Sequence, residues 1–294
     1  MAKSKSGGSR SYLRGKLGSD VYSIGKDGKG KKQQVVRALA ETVSNPQTQA
    51  QMRGRMIMST VMQAQSQLTQ IIDHSFDGFP AGQPSISAFI RANYALIKAD
   101  VAAHPSADNT FGLVKYGEKG AKGGYYQVSD GKAQLSNLVG FDTNDKNFNI
   151  GYLTTDTTVG ALIEQLALKD GDFLTCVQIN SDGTVDYVRL KPDLSMTPET
   201  AMSAEALGML FSFEGTKNPT FTYTQGTPQV AINDEGICGA IIVSRKTADG
   251  YIHNKAIMTG AAGFNYSSAV ALPTYPLGSA KFLNGGDVPG LIEG

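Results

Sequence analysis

The stretch GKDGKGKK, from Gly25 to Lys32, is where this sequence comes nearest to phosphate chemistry. A phosphate-binding loop reads G-x-x-x-x-G-K-[ST]: backbone amides cradle the phosphates, the lysine reaches their outer oxygens and the hydroxyl holds magnesium. Gly25, Gly30 and Lys31 keep that spacing, but Lys32 stands where the hydroxyl belongs. The flanks point elsewhere as well. Such a loop leads from a buried strand into a helix N-terminus, whereas DVYSI before it and KQQVVR after it both read as strands. The glycines are therefore predicted to close a β-hairpin. Its lysine-rich tip becomes a basic finger, suited to phosphates or to an acidic neighbouring subunit.

The other residue types that do chemistry are scattered. His74, His104 and His253 have no second histidine, glutamate or cysteine at ligand spacing, so each is expected to be structural and no metal is expected. In FDTNDKNFN the residues Asp142, Asn144, Asp145 and Asn147 have the look of a calcium loop without its glycine and terminal glutamate, and predict a polar turn. Cys176 and Cys238 lie in apolar, strand-like runs and not in C-x-x-C, which predicts buried free thiols. There is no G-x-S-x-G. No catalytic residue and no cofactor is assigned.

The elements that position these residues can be read from periodicity. In SNPQTQAQMRGRMIMSTVMQAQSQLTQIIDH, Ser44 or Asn45 is the expected N-cap, Pro46 sits where a first turn tolerates it, and Ile57, Val61, Ala64, Leu68 and Ile71 form one apolar stripe. Met52, Met56, Met58 and Met62 are expected to broaden it. After a Gly/Pro-rich turn, Ile86, Ile90, Tyr94, Ile97 and Val101 recur at helical spacing, so the two segments predict an antiparallel helical hairpin. From about residue 106 the period becomes two. FGLVKYG, GYYQVSDGKAQL, DFLTCVQINSDGTVDYVRL and GICGAIIVSRKTADGYIHNKAIM read as strands, three of them broken by SDG or ADG hairpin signals.

Two of those hairpins fix a register. A three-residue loop at Ser181, Asp182 and Gly183 puts Phe173, Val177 and Ile179 on one face with Val185 and Tyr187. A tight turn centred on Asp249 and Gly250 pairs Lys246 with His253 and Arg245 with Asn254, at a solvent end. Segments 157–168 and 197–207 read as short helices, the second with Thr197 as N-cap and Pro198 inside it. The division is a basic arm with a β-hairpin (1–43), a helical hairpin (44–105), an antiparallel β-sandwich with helical insertions (106–262) and an extended tail (263–294), an α+β chain.

Charge divides the 294 residues unevenly. The net charge is +1, yet ten Lys/Arg stand against Asp20 and Asp27 in residues 1–40, leaving 17 basic and 24 acidic residues in the rest. A basic arm precedes an acidic body. No apolar run reaches the roughly 18 residues of a membrane span, and the Lys/Ser/Gly start lacks the apolar segment of a signal peptide. The chain is expected in the cytosol or in a particle, without a membrane partner. At 40% hydrophobic residues it can bury a core.

LRGKLGSDVYSIGKDGKGKKQQVVRALAETVSNPQTQAQMRGRM, LKDGDFLTCVQI, GAIIVSRKTADGYIHNKAIM and YPLGSAKFLNGG together resemble the virion ring or collar proteins of crAss-like and related phages of gut Bacteroides-type bacteria. The resemblance implies a non-enzymatic structural protein near the portal and tail, in several copies around an axis, with an immunoglobulin-like β-domain. Its expected partners are further copies and neighbouring virion proteins. Expected contact residues are Arg14, Lys16, Lys26, Lys29, Lys31, Lys32 and Arg37; the helix-packing stripe is Ile57, Val61, Leu68, Ile71, Ile86, Ile90 and Ile97. The alternative is a nucleic-acid-binding or packaging protein whose arm holds phosphates. Only Tyr12 and Tyr22 accompany the arm's charges, too few for a base-stacking platform.

Overall fold

The computed structural model describes residues 3–5, 12–17, 19–26, 31–38, 49–103, 112–113, 123–135, 139–154, 157–260, 264 and 266–267. The expected N-cap at Ser44 or Asn45, Pro46, Lys29, His104 and most of the 263–294 tail lie outside them. The chain divides into two compact units after Gln47.

The first unit is a four-stranded antiparallel meander, β1 (Lys3–Lys5), β2 (Tyr12–Leu17), β3 (Asp20–Lys26) and β4 (Lys32–Ala38), in sequence order. The expected hairpin is its second half: β3 pairs β4 from Asp20↔Ala38 to Lys26↔Lys32. Lys32 opens a strand and not a helix; Asp27 to Gly30 lie outside the described residues. The sequence reading had one hairpin here; β1 and β2 extend it.

The second unit is built on two long helices, α1 (Gln49–Ile72) and α2 (Gln83–Ala103). They are followed by β5 (Gly112–Leu113), β6 (Gln127–Ser129), β7 (Gly140–Asp142), β8 (Asn147–Asn149), α3 (Val159–Leu166), β9 (Phe173–Asn180) and β10 (Val185–Pro192). Then come α4 (Ala204–Leu210), β11 (Phe211–Gly215), β12 (Thr220–Thr224), β13 (Thr227–Ala231), β14 (Gly236–Thr247), β15 (Gly250–His253), β16 (Ala256–Ile257) and β17 (Tyr266–Ser267). A five-stranded sheet in the order β11-β10-β9-β14-β15 forms the middle layer. Small sheets pair β16 with β6 and β17 with β5. No helix among the described residues is long and apolar enough to cross a membrane.

Strand alternation gives the middle sheet two apolar faces. Val177, Ile179, Cys238, Ala240 and Ile242 face a core shared with α1 and α2; Leu174, Cys176, Val188, Leu190, Ile241 and Val243 face a second core. That second core is closed by α3, α4 and the sheet β12-β13-β8-β7. Ile57, Val61, Leu68, Ile71 and Ile97 are buried, as the stripe predicts. On α2 the line of deepest burial is turned slightly, through Ser85, Ala88, Phe89, Asn93 and Ile97, with Ile86, Ile90 and Tyr94 packed at its margin. Met56 is buried, but Met58 and Met62 point outward, so they do not broaden the stripe. Each fully buried Leu or Ile contributes about 1.5–3 kcal/mol.

Four expectations from the β-half meet the structure. The β9–β10 register is as predicted, Ile179↔Val185 and Val177↔Tyr187, around a loop in which Gly183 takes φ +88°. The last hairpin is two residues off: Lys246 pairs with Tyr251 and Ser244 with His253, because Ala248 and Asp249 form the turn. His253 and Asn254 are buried and not at a solvent end. The SDG at Ser129–Gly131 makes no hairpin, since β6 pairs with distant β16 and the Asp130 amide and carbonyl bond to the Ser75 carbonyl and the Asp77 amide. Finally, the helix expected over 197–207 begins at Ala204 with Ser203 as N-cap, accepting from the Ala206 amide at 3.0 Å. Its intended first turn is diverted: Ala201 bridges Thr158, and the Met202 amide donates to the Thr157 carbonyl.

Candidate assembly interface

Antiparallel register sorts the first unit's residues onto two faces, because residues directly opposite one another share a side of the sheet. Lys16, Val21 and Arg37 form one row, and Ser23 with Val35 the next on that face. Arg14 lies two positions before Lys16 and pairs with Lys3, so both hold register positions on the same face. The opposite face carries Tyr22 with Val36, Ile24 with Gln34, and Lys26 with Lys32 at the hairpin end. One side of the sheet thus holds the register positions of Lys3, Arg14, Lys16 and Arg37, and the other holds Tyr22, Ile24 and Val36, ending in Lys26 and Lys32 at the hairpin end.

Val36 is 51% exposed and Val35 37%. Lys16, Lys31, Lys32 and Arg37 are exposed, and Val21, Tyr22 and Ile24 only half-buried. Among the described residues the buried apolar side chains begin at Met56. Lys3 with Arg14 and Lys26 with Lys32 are register partners of like charge.

The second unit carries opposite charge at one end, where three turns meet. In the β7–β8 turn, Asp142 Oδ1 accepts from the amides of Asn144 at 2.8 Å and Asp145 at 3.4 Å, the polar turn expected there. Lys146 Nζ donates to the Asp234 carbonyl at 2.5 Å, joining that turn to the β13–β14 loop. The Ser181 amide donates to the Glu235 carbonyl at 2.8 Å, joining the β9–β10 turn to the same loop. Beneath them buried Asp186 accepts from Asn180 Nδ2, Asn233 Nδ2 and Thr216 Oγ1, each at 2.8 Å. Asp145, Asp182, Asp234 and Glu235 remain exposed and Asp142 partly so. Sequence reasoning found the acidic excess but not this rim, since its carboxylates come from turns about 40 to 50 residues apart.

A cavity of about 380 Å³ lies between the α1–α2 turn and the helix-facing side of the sheet, lined in part by Phe79, Phe173, Arg189, Tyr251 and His253. Ser244 Oγ is 3.0 Å from His253 Nδ1, a hydroxyl–imidazole pair of the kind hydrolases use. Asp77 is beside it but otherwise engaged: Oδ1 accepts from the His253 amide at 2.8 Å and Oδ2 from the Lys132 amide at 3.1 Å. Both oxygens hold backbone, and no described hydrogen bond orients the second ring nitrogen. The group therefore acts as a clamp between the helical turn and β15. Burial lowers the His253 pKa, opposed by the Asp77 charge and aided by His74. Arg189 lies 5.0 Å over the Phe173 ring and reaches Glu214 at 2.7 Å.

The remaining sequence candidates are placed without a site. His74 is exposed, 3.5 Å from Asp73. Burial raises both thiols, Cys238 to about 11, and they belong to different cores on opposite faces of the sheet. No family model, curated protein or solved structure matches this chain.

Proposed function

We propose that this protein is a non-enzymatic structural subunit of a phage particle, present in several copies as a ring or collar component at the portal and tail. The observation that carries the reading is the first unit, a sheet with a row of basic residues on one side, Tyr22, Ile24 and Val36 on the other and no described buried apolar residue. A four-stranded sheet ordinarily gains its stability by packing one face. Exposed Val35 and Val36 suit such a sheet to packing on a neighbour. The resemblance of the chain to crAss-like phage ring proteins supports the same reading, and with it an immunoglobulin-like role for the β-body, assembly in the host cytoplasm and residence in the virion.

The second reading is nucleic-acid binding or packaging, favoured by the Lys26↔Lys32 pair at the hairpin end. Quantitative mass spectrometry of purified particles from a producing culture separates the alternatives. The expected result is this chain at a fixed multiple-copy ratio to the portal protein. Its absence from particles, with presence in cell extract, would overturn the structural reading.

A further inference from the structure

We infer that the basic face of the N-terminal sheet in one copy seats on the acidic rim of a second copy, the contact that joins successive subunits. This deepens, and rests on, the assembly reading.

Three observations converge. The sheet places Lys16 and Arg37 in one exposed row, with Arg14 and Lys3 at register positions on the same face and no acidic residue among them. Asp20, the only acidic residue described in this unit, pairs with Leu17 and Ala38 and so lies on the other face. The rim supplies the complement: Asp142, Asp145, Asp182, Asp234 and Glu235 on three linked turns. Lys146 Nζ, on the first of these turns, donates to the Asp234 carbonyl and so links two of them. Finally, Lys3 is the register partner of Arg14, so the strand pairing itself gathers positive charge on this face.

A rim of fixed carboxylates answers all three. Two of its carboxylates, Asp142 and Asp182, are held by turn amides, Asp182 Oδ1 accepting from the Thr184 amide at 2.8 Å and its hydroxyl at 2.6 Å. It is also present once per basic sheet, as a head-to-tail repeat requires. Nucleic acid offers anions too, but among the described residues the basic face holds Val21, Val35 and Ser23 and one aromatic register position, Tyr12, too few for a base-stacking platform. Opposite charges on two patches of one chain favour encounter between copies and set the register of docking.

The test uses the full chain and two charge-reversed variants, one carrying Lys16→Glu and Arg37→Glu, the other Asp145→Lys, Asp234→Lys and Glu235→Lys. Sedimentation and native mass measurements at low and high salt read the association. Wild type is expected to self-associate, with an affinity that falls as salt rises. Each variant alone is expected to associate about tenfold or more weakly. An equimolar mixture should regain association, since each reversed patch then meets its complement on another copy. All substituted side chains are exposed, so circular dichroism should match wild type; if a reversed variant unfolds, the glutamine and asparagine versions replace it and weakened association is again required. Unchanged self-association in both variants, failure of the mixture to recover, or a monomeric wild type that binds a DNA duplex through Lys16 and Arg37 would each overturn the contact. If particles contain the chain but the reversals are silent, the docking fails and the structural reading stands.

Discussion

A buried histidine with a lowered pKa makes a chain sensitive to acid, and His253 is that residue here. Burial disfavours its imidazolium in the folded state, with Asp77 only partly compensating. The unfolded chain takes up the proton near the ordinary value of about 6.5, before the folded chain does. In that window the unfolded state binds more protons, so stability falls as pH drops below about 6.5 and levels off once the folded pKa is passed. Denaturant midpoints measured at pH 7.5 and 5.5 should show this loss, and His253→Asn, which keeps a partner for Ser244 near the Nδ1 position, should reduce it. An equal loss in both proteins would assign the acid sensitivity elsewhere. Residue identity announced a histidine in a strand; the clamp around it came from Asp77, 176 positions away.

At the level of elements, the helices are fastened to the sheets by side chains that satisfy backbone groups, in addition to apolar packing. Asn93, buried in the middle of α2, accepts from the Gln127 amide at 2.8 Å and donates to the Gln127 carbonyl at 2.9 Å, so it plays the part of a neighbouring strand for β6. Asn254 does the same for β14, accepting from the Val243 amide at 2.8 Å and donating to the Ile241 carbonyl at 3.2 Å. Arg245 closes the C-terminal end of α3, reaching the Leu166 carbonyl at 2.7 Å and Asp172 at 2.9 Å. Leaving a buried amide and carbonyl without partners is costly, so Asn93→Ala should destabilise the second unit by about 2–3 kcal/mol. Thermal unfolding should show a midpoint lower by roughly 5–10 °C. A shift within about 1 °C would mean that water replaces the side chain without penalty.

For the whole molecule, the division after Gln47 separates a unit with two cores from one whose described residues contribute none. Deleting residues 1–47 should therefore leave cooperative unfolding of the remainder in place, with a midpoint within about 2 °C of the full chain measured as monomer. A loss of cooperativity would show that the sheet completes the fold of its own body, which would remove the argument for a partner. The same deletion should abolish the salt-sensitive association described above.

The sequence by itself determined the elements whose information is local. The α1 stripe from Ile57 to Ile71, the hairpin at Gly25 to Lys32 and the register of the Ser181–Gly183 loop all follow from side-chain period and turn chemistry within one segment. Ser129-Asp130-Gly131 carried an equally good turn signal and was overruled, because β6 pairs with distant β16 and the Asp130 amide and carbonyl bond to the Ser75 carbonyl and the Asp77 amide. The helix expected from Thr197 was likewise displaced to Ala204 once Ala201 and Met202 found backbone partners at Thr158 and Thr157. The candidate interface divides in the same way. Its basic residues were legible as a cluster, but only the strand register separates Lys16 and Arg37 from Lys26 and Lys32 onto opposite faces. The acidic rim was not legible at all, since charge in a sequence has no direction until three distant turns are brought to one end of a sheet.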